Sequence, residues 1–130
     1  LAPVFFDQRP PVEIVAQIMI AVLFIGTGII NAGWRQANIV PRMAALGVPY
    51  ARVSLYVGFA MQFAGGFMLL FDWQARWGAG LLIVFTLMAA AIFHRFWEMS
   101  DPYRYDTHRQ FLFNNCAVIG GLLFVMSRAG

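Results

Sequence analysis

Five amide side chains stand inside stretches that carry no charge: Gln17, Asn31, Gln62, Asn114 and Asn115. An amide offers two N–H donors and a carbonyl acceptor, but no proton that titrates near neutrality. Such groups suit two tasks. They can hydrogen-bond one helix to another, or they can hold an uncharged head group such as a quinone. The first task is the commoner one for amides in apolar surroundings. Two histidines supply the other candidate chemistry. His94 closes an apolar run in the series His94-Arg95-Phe96-Trp97, and His108 precedes the next run. Imidazole exchanges protons near neutral pH, and a pair of imidazoles can ligate haem. A histidine at a helix end more often snorkels and caps carbonyls, so haem or pigment ligation by His94 is disfavoured. No cysteine pair or acidic cluster completes a zinc or di-iron ligand set, and no metal site is expected. Ser54, Thr86 and Ser127 have no histidine or acid at a spacing useful for nucleophilic catalysis. Gly26-Thr27-Gly28 lacks the third glycine and the preceding strand of a dinucleotide loop. No catalytic residue is assigned.

The elements that position these groups follow from charge patterning. Of 130 residues, 61% are hydrophobic and 12% are charged. Soluble domains carry about 25% charged residues, so water is the wrong solvent for this surface. Lipid, which needs no polar cover, is the right one. Residues Ile14 to Trp34, Val53 to Phe71, Trp77 to Phe93 and Gln110 to Ser127 contain no Asp, Glu, Lys or Arg. Roughly 17–25 apolar residues suffice for a helix to cross a bilayer. The pattern predicts an all-α, four-transmembrane-helix antiparallel bundle forming a single domain over residues 1–130. Its spans are expected at about 12–34, 51–71, 77–97 and 110–127. The first loop is expected to hold a short interfacial helix between Pro41 and Pro49, with Met43, Leu46 and Val48 as its apolar side. Asp72-Trp73-Gln74-Ala75-Arg76 reads as a tight turn that makes the second and third spans antiparallel neighbours. The longest polar segment runs from Glu98 to Arg109. Trp34, Tyr50, Trp73, Trp77, Trp97, Tyr103 and Tyr105 fall near the span ends, as interfacial aromatics do.

Four spans place both termini and the second loop on one side. That side carries Arg9, Arg76 and Arg128, against Arg35, Arg42, Arg52, Arg95, Arg104 and Arg109 on the other. The positive-inside rule then puts the first and third loops in the cytoplasm and the termini in the periplasm. The arginines are scattered along the chain with no basic stripe, which argues against a nucleic-acid partner. Cys116 is the single cysteine and reads as a small apolar residue. The chain opens on Leu1 instead of Met, so the expectation is that it is either processed or given without its start.

In order along the chain stand Leu23-Phe24-Ile25-Gly26-Thr27-Gly28, Leu46-Gly47-Val48-Pro49, Gly65-Gly66 with Arg76, His94-Arg95-Phe96-Trp97, and Gln110-Phe111-Leu112-Phe113-Asn114-Asn115 leading to Gly120-Gly121-Leu122-Leu123. Their order and spacing resemble the DoxX-like family of small four-helix integral membrane proteins. The resemblance implies a bacterial inner-membrane protein associated with redox enzymes, examples being a subunit of thiosulfate:quinone oxidoreductase and components of membrane oxidoreductase assemblies. Three departures stand out. The family commonly has Lys where this chain has Asn31, Glu where it has Gln62, and Lys-Asn where it has Asn114-Asn115. Intramembrane charges usually mark proton or substrate paths, and here they are neutral amides. The expectation is therefore an accessory, structural subunit of a larger membrane bioenergetic complex, without catalytic activity of its own. It would pack laterally against other membrane subunits and border a quinone path. The alternative is a quinone-reactive subunit of an oxidoreductase, with Asn31, Gln62 and Asn115 around the head group and His94 as proton donor or ligand.

Overall fold

In the computed structural model, residues 9–93 and 100–128 are described. Every regular element among them is helical. Helix α1 spans Pro11–Ile30, a π-helical segment follows over Asn31–Arg35, and α2 spans Gln36–Ala45. Then come α3 (Ala51–Leu70), α4 (Ala75–Phe93) and α5 (Pro102–Arg128). Four stretches are long and apolar enough to cross a membrane: Pro11–Gly33, Ala51–Leu70, Ala75–Ile92 and Pro102–Arg128. The end expected for the third span, at Trp97, lies outside the described residues.

Local chemistry sets each boundary. Pro11 opens α1, where a missing N–H is harmless. The first span is expected to end at about residue 34. A π turn over Asn31–Arg35 instead carries the helical path on into α2. Helix α2 also starts earlier than expected and runs through Pro41. That proline leaves the Ala37 carbonyl without its usual donor four residues on. Two Schellman motifs end helices. Val48 N–H bonds Met43 O at 3.0 Å and Gly47 N–H bonds Ala44 O at 3.1 Å, with Gly47 left-handed at φ 87°. Trp73 N–H bonds Met68 O at 2.9 Å and Asp72 N–H bonds Leu69 O at 3.2 Å, with Asp72 left-handed at φ 53°. Helix α5 begins at Pro102, eight residues before the apolar run. Asp101 caps it through Oδ1, which accepts from Tyr103 N–H at 3.1 Å. Its first turns carry Arg104, Asp106 and Arg109, with Arg109 paired to Asp106 at 3.1 Å and lying over the Tyr105 ring.

Helix α1 packs on α3, α3 on α4 and α4 on α5, while α1 and α5 touch sparsely. Close approach of α3 and α4 depends on two glycines. A Cβ on Gly65 would lie 2.6 Å from Leu82 Cγ, and one on Gly78 would lie 2.7 Å from Met68 Cβ. Small residues of this kind let membrane helices pack backbone to backbone. The main core joins all four spans through Ala21, Phe24, Leu69, Ala75, Ala79, Leu82, Leu122 and Val125. A second cluster, Ile39, Met43, Leu55 and Phe59, fixes α2 against α3 at the opposite end. Outward faces are apolar, with Phe67, Phe71, Phe113 and Phe124 exposed.

Candidate functional site

The polar groups inside the spans form two separate constellations. The first sits where the start of α1, the α3–α4 turn and the end of α5 meet. Gln17, 1% exposed, donates from Nε2 to Leu69 O and to Asp72 Oδ1, both at 2.9 Å. Arg9 donates from Nη1 to Asp72 Oδ1 at 3.3 Å, and from Nη2 to Glu13 Oε1 and Gln17 Oε1, each at 3.3 Å. Arg128 reaches Glu13 Oε2 at 3.4 Å. Two arginines and two carboxylates thus neutralise one another. The network carries equal charge of either sign and ties three chain segments to one end of the bundle. This is the shared side expected for the termini and second loop. It is a clasp, because each charge is spent on a protein partner.

The second constellation lies deeper. Gln62 is 3% exposed on α3 and donates from Nε2 to Phe24 O at 2.8 Å and to Thr27 Oγ1 at 2.9 Å, both on α1. Thr27 in turn donates to Leu23 O at 2.7 Å. Gly28 permits this approach, since a Cβ there would come within 3.3 Å of the Gln62 amide carbon. Thr86 on α4 is also buried, and its hydroxyl has no hydrogen-bond partner among the described residues.

The residues singled out for a quinone head group distribute unevenly. Gln62 is bonded to α1. Asn31 is half-buried in the π segment that continues α1. Asn115 is half-buried on α5, which packs mainly on α4, so it is not brought onto Gln62 by a direct α3–α5 interface. His94 lies outside the described residues. His108 is half-buried near the start of α5, its ring edge-on to Phe111 at 5.6 Å. Asn114 is exposed on α5 and accepts at Oδ1 from Gln110 Nε2 at 3.3 Å. Among the described residues no group of three His, Cys, Asp or Glu is placed to hold a metal ion.

The Arg9–Asp72 pair escaped sequence reasoning because the two residues are 63 positions apart. The signal was available. A four-span topology puts the residues flanking the first span and the second loop on one side, and these two carry opposite charges. Thr27 gave no signal of its own, since a lone threonine in an apolar run usually bonds its own helix.

Removing the Gln62 amide is expected to loosen α1 from α3. Gln62→Leu leaves Thr27 with only its intrahelical bond and should lower stability by about 1 kcal/mol. Denaturant titration of the protein in detergent measures this. An unchanged midpoint would show that the bond contributes nothing to packing.

A family model described as DoxX matches residues 14–95, more than half of the chain. The match takes in α1 to α4 and stops before α5. No curated protein and no solved structure matches the chain.

Proposed function

The chain belongs to the DoxX family, and from that premise we propose that it is an accessory, structural subunit of a larger membrane bioenergetic complex. It packs laterally against other membrane subunits and borders a quinone path. One observation carries this reading. The polar positions deep in the spans are uncharged amides and threonines, and the most buried amides are spent on joining helices, Gln17 and Gln62 each linking α1 to α3 or its following turn. A membrane enzyme that moves protons needs titratable groups at such depth, and the charges described here are gathered at the ends of the spans. The apolar outward faces, with Phe67, Phe71, Phe113 and Phe124 exposed, offer area for neighbouring subunits.

Isolation from the native membrane in mild detergent tests the proposal. Other membrane subunits should accompany the chain in stoichiometric amount. Purification of the chain alone would end the accessory reading, and a stoichiometric haem band or bound quinone in that preparation would support the quinone-reactive alternative.

The orientation belongs to the same proposal. With three arginines on the clasp side and six on the other, the termini face the periplasm of a bacterial inner membrane. Alkaline phosphatase fused after Arg128 is expected to be active and a green fluorescent protein fusion dark. The reverse pattern would invert the orientation.

A further inference from the structure

Helix α5 is the span that this chain covers least. Of its most apolar stretch 11% is buried, against 22%, 33% and 28% in the other three spans. Two stripes run along it. Val118, Leu122 and Val125 turn inward and join the main core. The second stripe turns away from the other helices. It consists of Gln110, Phe113, Ala117, Gly120, Phe124 and Ser127, spaced alternately by three and four residues. Five of them are exposed, and a Cβ on Gly120 would meet nothing within 4 Å. Alternating threes and fours average 3.5 residues, the period at which two parallel helices stay in contact along one left-handed seam. From Gln110 to Ser127 the stripe runs about 26 Å at 1.5 Å per residue, most of a hydrocarbon layer of about 30 Å.

The chemistry of this stripe suits a second helix better than it suits lipid. Ala117 and Gly120 make a narrow waist, and small residues let membrane helices approach backbone to backbone. Phe113 and Phe124, 67% and 73% exposed, stand on either side of it. At one end lie two amides. Gln110 donates from Nε2 to Asn114 Oδ1 at 3.3 Å, within α5 itself. That bond leaves Gln110 Oε1 as an acceptor and Asn114 Nδ2 as a donor, with no partner for either among the described residues. Hydrocarbon cannot satisfy them. A second copy can, because an acceptor and a donor on one face answer the same two groups across a two-fold axis. Residues 110–127 hold no charge, so a copy brings no like charges together inside the membrane. Just beyond the span, Asp106 and Arg109 pair at 3.1 Å and cancel one another. The stripe is complementary to itself.

We infer that the chain forms a homodimer through α5, two copies packing side by side about a two-fold axis along the membrane normal. Every copy crosses the membrane in one orientation, so the two α5 helices run parallel and each residue of the stripe meets its own counterpart. Ala117 and Gly120 give the closest approach. Phe113 and Phe124 pair above and below it. The amides of Gln110 and Asn114 bond across the seam near one membrane face, and a polar group at a single seam position fixes the register. The native Cys116 is exposed beside the stripe. The outward faces of α1, α3 and α4 stay clear of this seam and remain open to other subunits. The dimer goes beyond the accessory reading, and neither requires the other.

Disulfide scanning of the full chain in its native membrane tests the dimer. In a Cys116→Ala background, Phe113→Cys, Ala117→Cys, Gly120→Cys and Phe124→Cys are each expressed as tagged and untagged copies together and oxidised with copper phenanthroline. Capture of the tag should bring down the untagged chain as a disulfide-linked pair, both halves identified by mass spectrometry. Val22→Cys on α1 and Val84→Cys on α4, exposed on other faces, should stay unlinked. Förster transfer between labelled copies in phosphatidylcholine vesicles, at increasing dilution in lipid, measures the association. Gln110→Leu combined with Asn114→Leu should weaken it about tenfold, the loss of two interhelical hydrogen bonds. Ala117→Phe fills the waist and should weaken it further, while Met88→Leu on α4 should leave it unchanged. These positions face away from the chain's own core, and an unchanged unfolding midpoint verifies that the variants fold. Equal linking at Val22→Cys and Val84→Cys, a stripe linked to a different protein, or transfer indifferent to Ala117→Phe would overturn the dimer. A linked pair with no accompanying subunits would keep the dimer and end the accessory reading. Subunits present with the stripe unlinked would do the reverse.

Discussion

Gly78→Leu is expected to prevent assembly of the bundle. The α4 glycine faces Met68 Cβ at 2.7 Å, Leu69 Cδ1 at 3.2 Å and the Gly65 carbonyl oxygen at 3.2 Å, measured from where its own Cβ would stand. A Cβ and a carbonyl belong to rigid parts of the chain, so neither can turn aside. Even Gly78→Ala should lower stability by about 1–3 kcal/mol, the usual range for overpacking a close-packed site. Leucine forces the helices apart and separates Leu82 and Leu69, two fully buried residues of the core. Gly120→Ala is the control, because its added methyl meets nothing within 4 Å. Helicity and monodispersity in detergent distinguish them. Gly78→Leu should aggregate, while Gly120→Ala should match the parent. Normal behaviour of Gly78→Leu would refute the α3–α4 packing.

The clasp gives the second large effect. Asp72→Ala removes the carboxylate shared by Arg9 and Gln17, and both the Arg9 and Asp72 side chains are only 15% exposed. Arg9 keeps Glu13 as a carboxylate partner at 3.3 Å, so the loss is that of charge-assisted hydrogen bonds, about 2 kcal/mol. The site lies at a span end, so water can reach part of it. Alanine adds a backbone penalty of about 1 kcal/mol in the left-handed conformation that Asp72 holds. Two further variants separate these terms. Asp72→Asn keeps the acceptor for Gln17 and tolerates the left-handed backbone, so its loss reports the charge alone. Asp72→Gly relieves the backbone but loses both bonds. Combined with Arg9→Met, Asp72→Gly should recover part of the lost stability, since the cation left with one carboxylate is then gone. Unfolding midpoints of the parent and the four variants form the measurement. Equal midpoints for Asp72→Ala and the parent would show that the clasp holds nothing.

The spans were legible because charge exclusion is a property of composition, and lipid imposes it on every residue of a crossing helix. Their ends were less so. Asp101-Pro102 is a cap followed by a proline at the first helical position, a start signal in plain view. The turns after it carry Arg104, Asp106 and Arg109 with no apolar period, so the sequence reads there as loop. The π segment over Asn31–Arg35 leaves no compositional trace, because one extra residue in a turn changes no residue type. The candidate site was half legible. Buried amides in apolar runs mark themselves, and Gln62 does tie two helices together. Which amides come near one another depends on rotation and register between helices far apart in sequence. Asn114 and Asn115 are neighbours in the chain, yet a difference of about 100° around the helix separates their surroundings. The contact of Ile20 with Gly121 fixes that register, and nothing in the order of residues announces it.

The central claim is a chain that crosses the bilayer four times, with its termini and the α3–α4 turn on one face. Membrane-impermeant maleimide labelling of single-cysteine proteins in a Cys116→Ala background tests it most directly. Gln74→Cys and Ser127→Cys should label from one face of sealed vesicles, and Ala45→Cys and Ser100→Cys only from the other. Labelling of Ala45→Cys and Gln74→Cys from the same face, or release of the protein by carbonate without detergent, would contradict it.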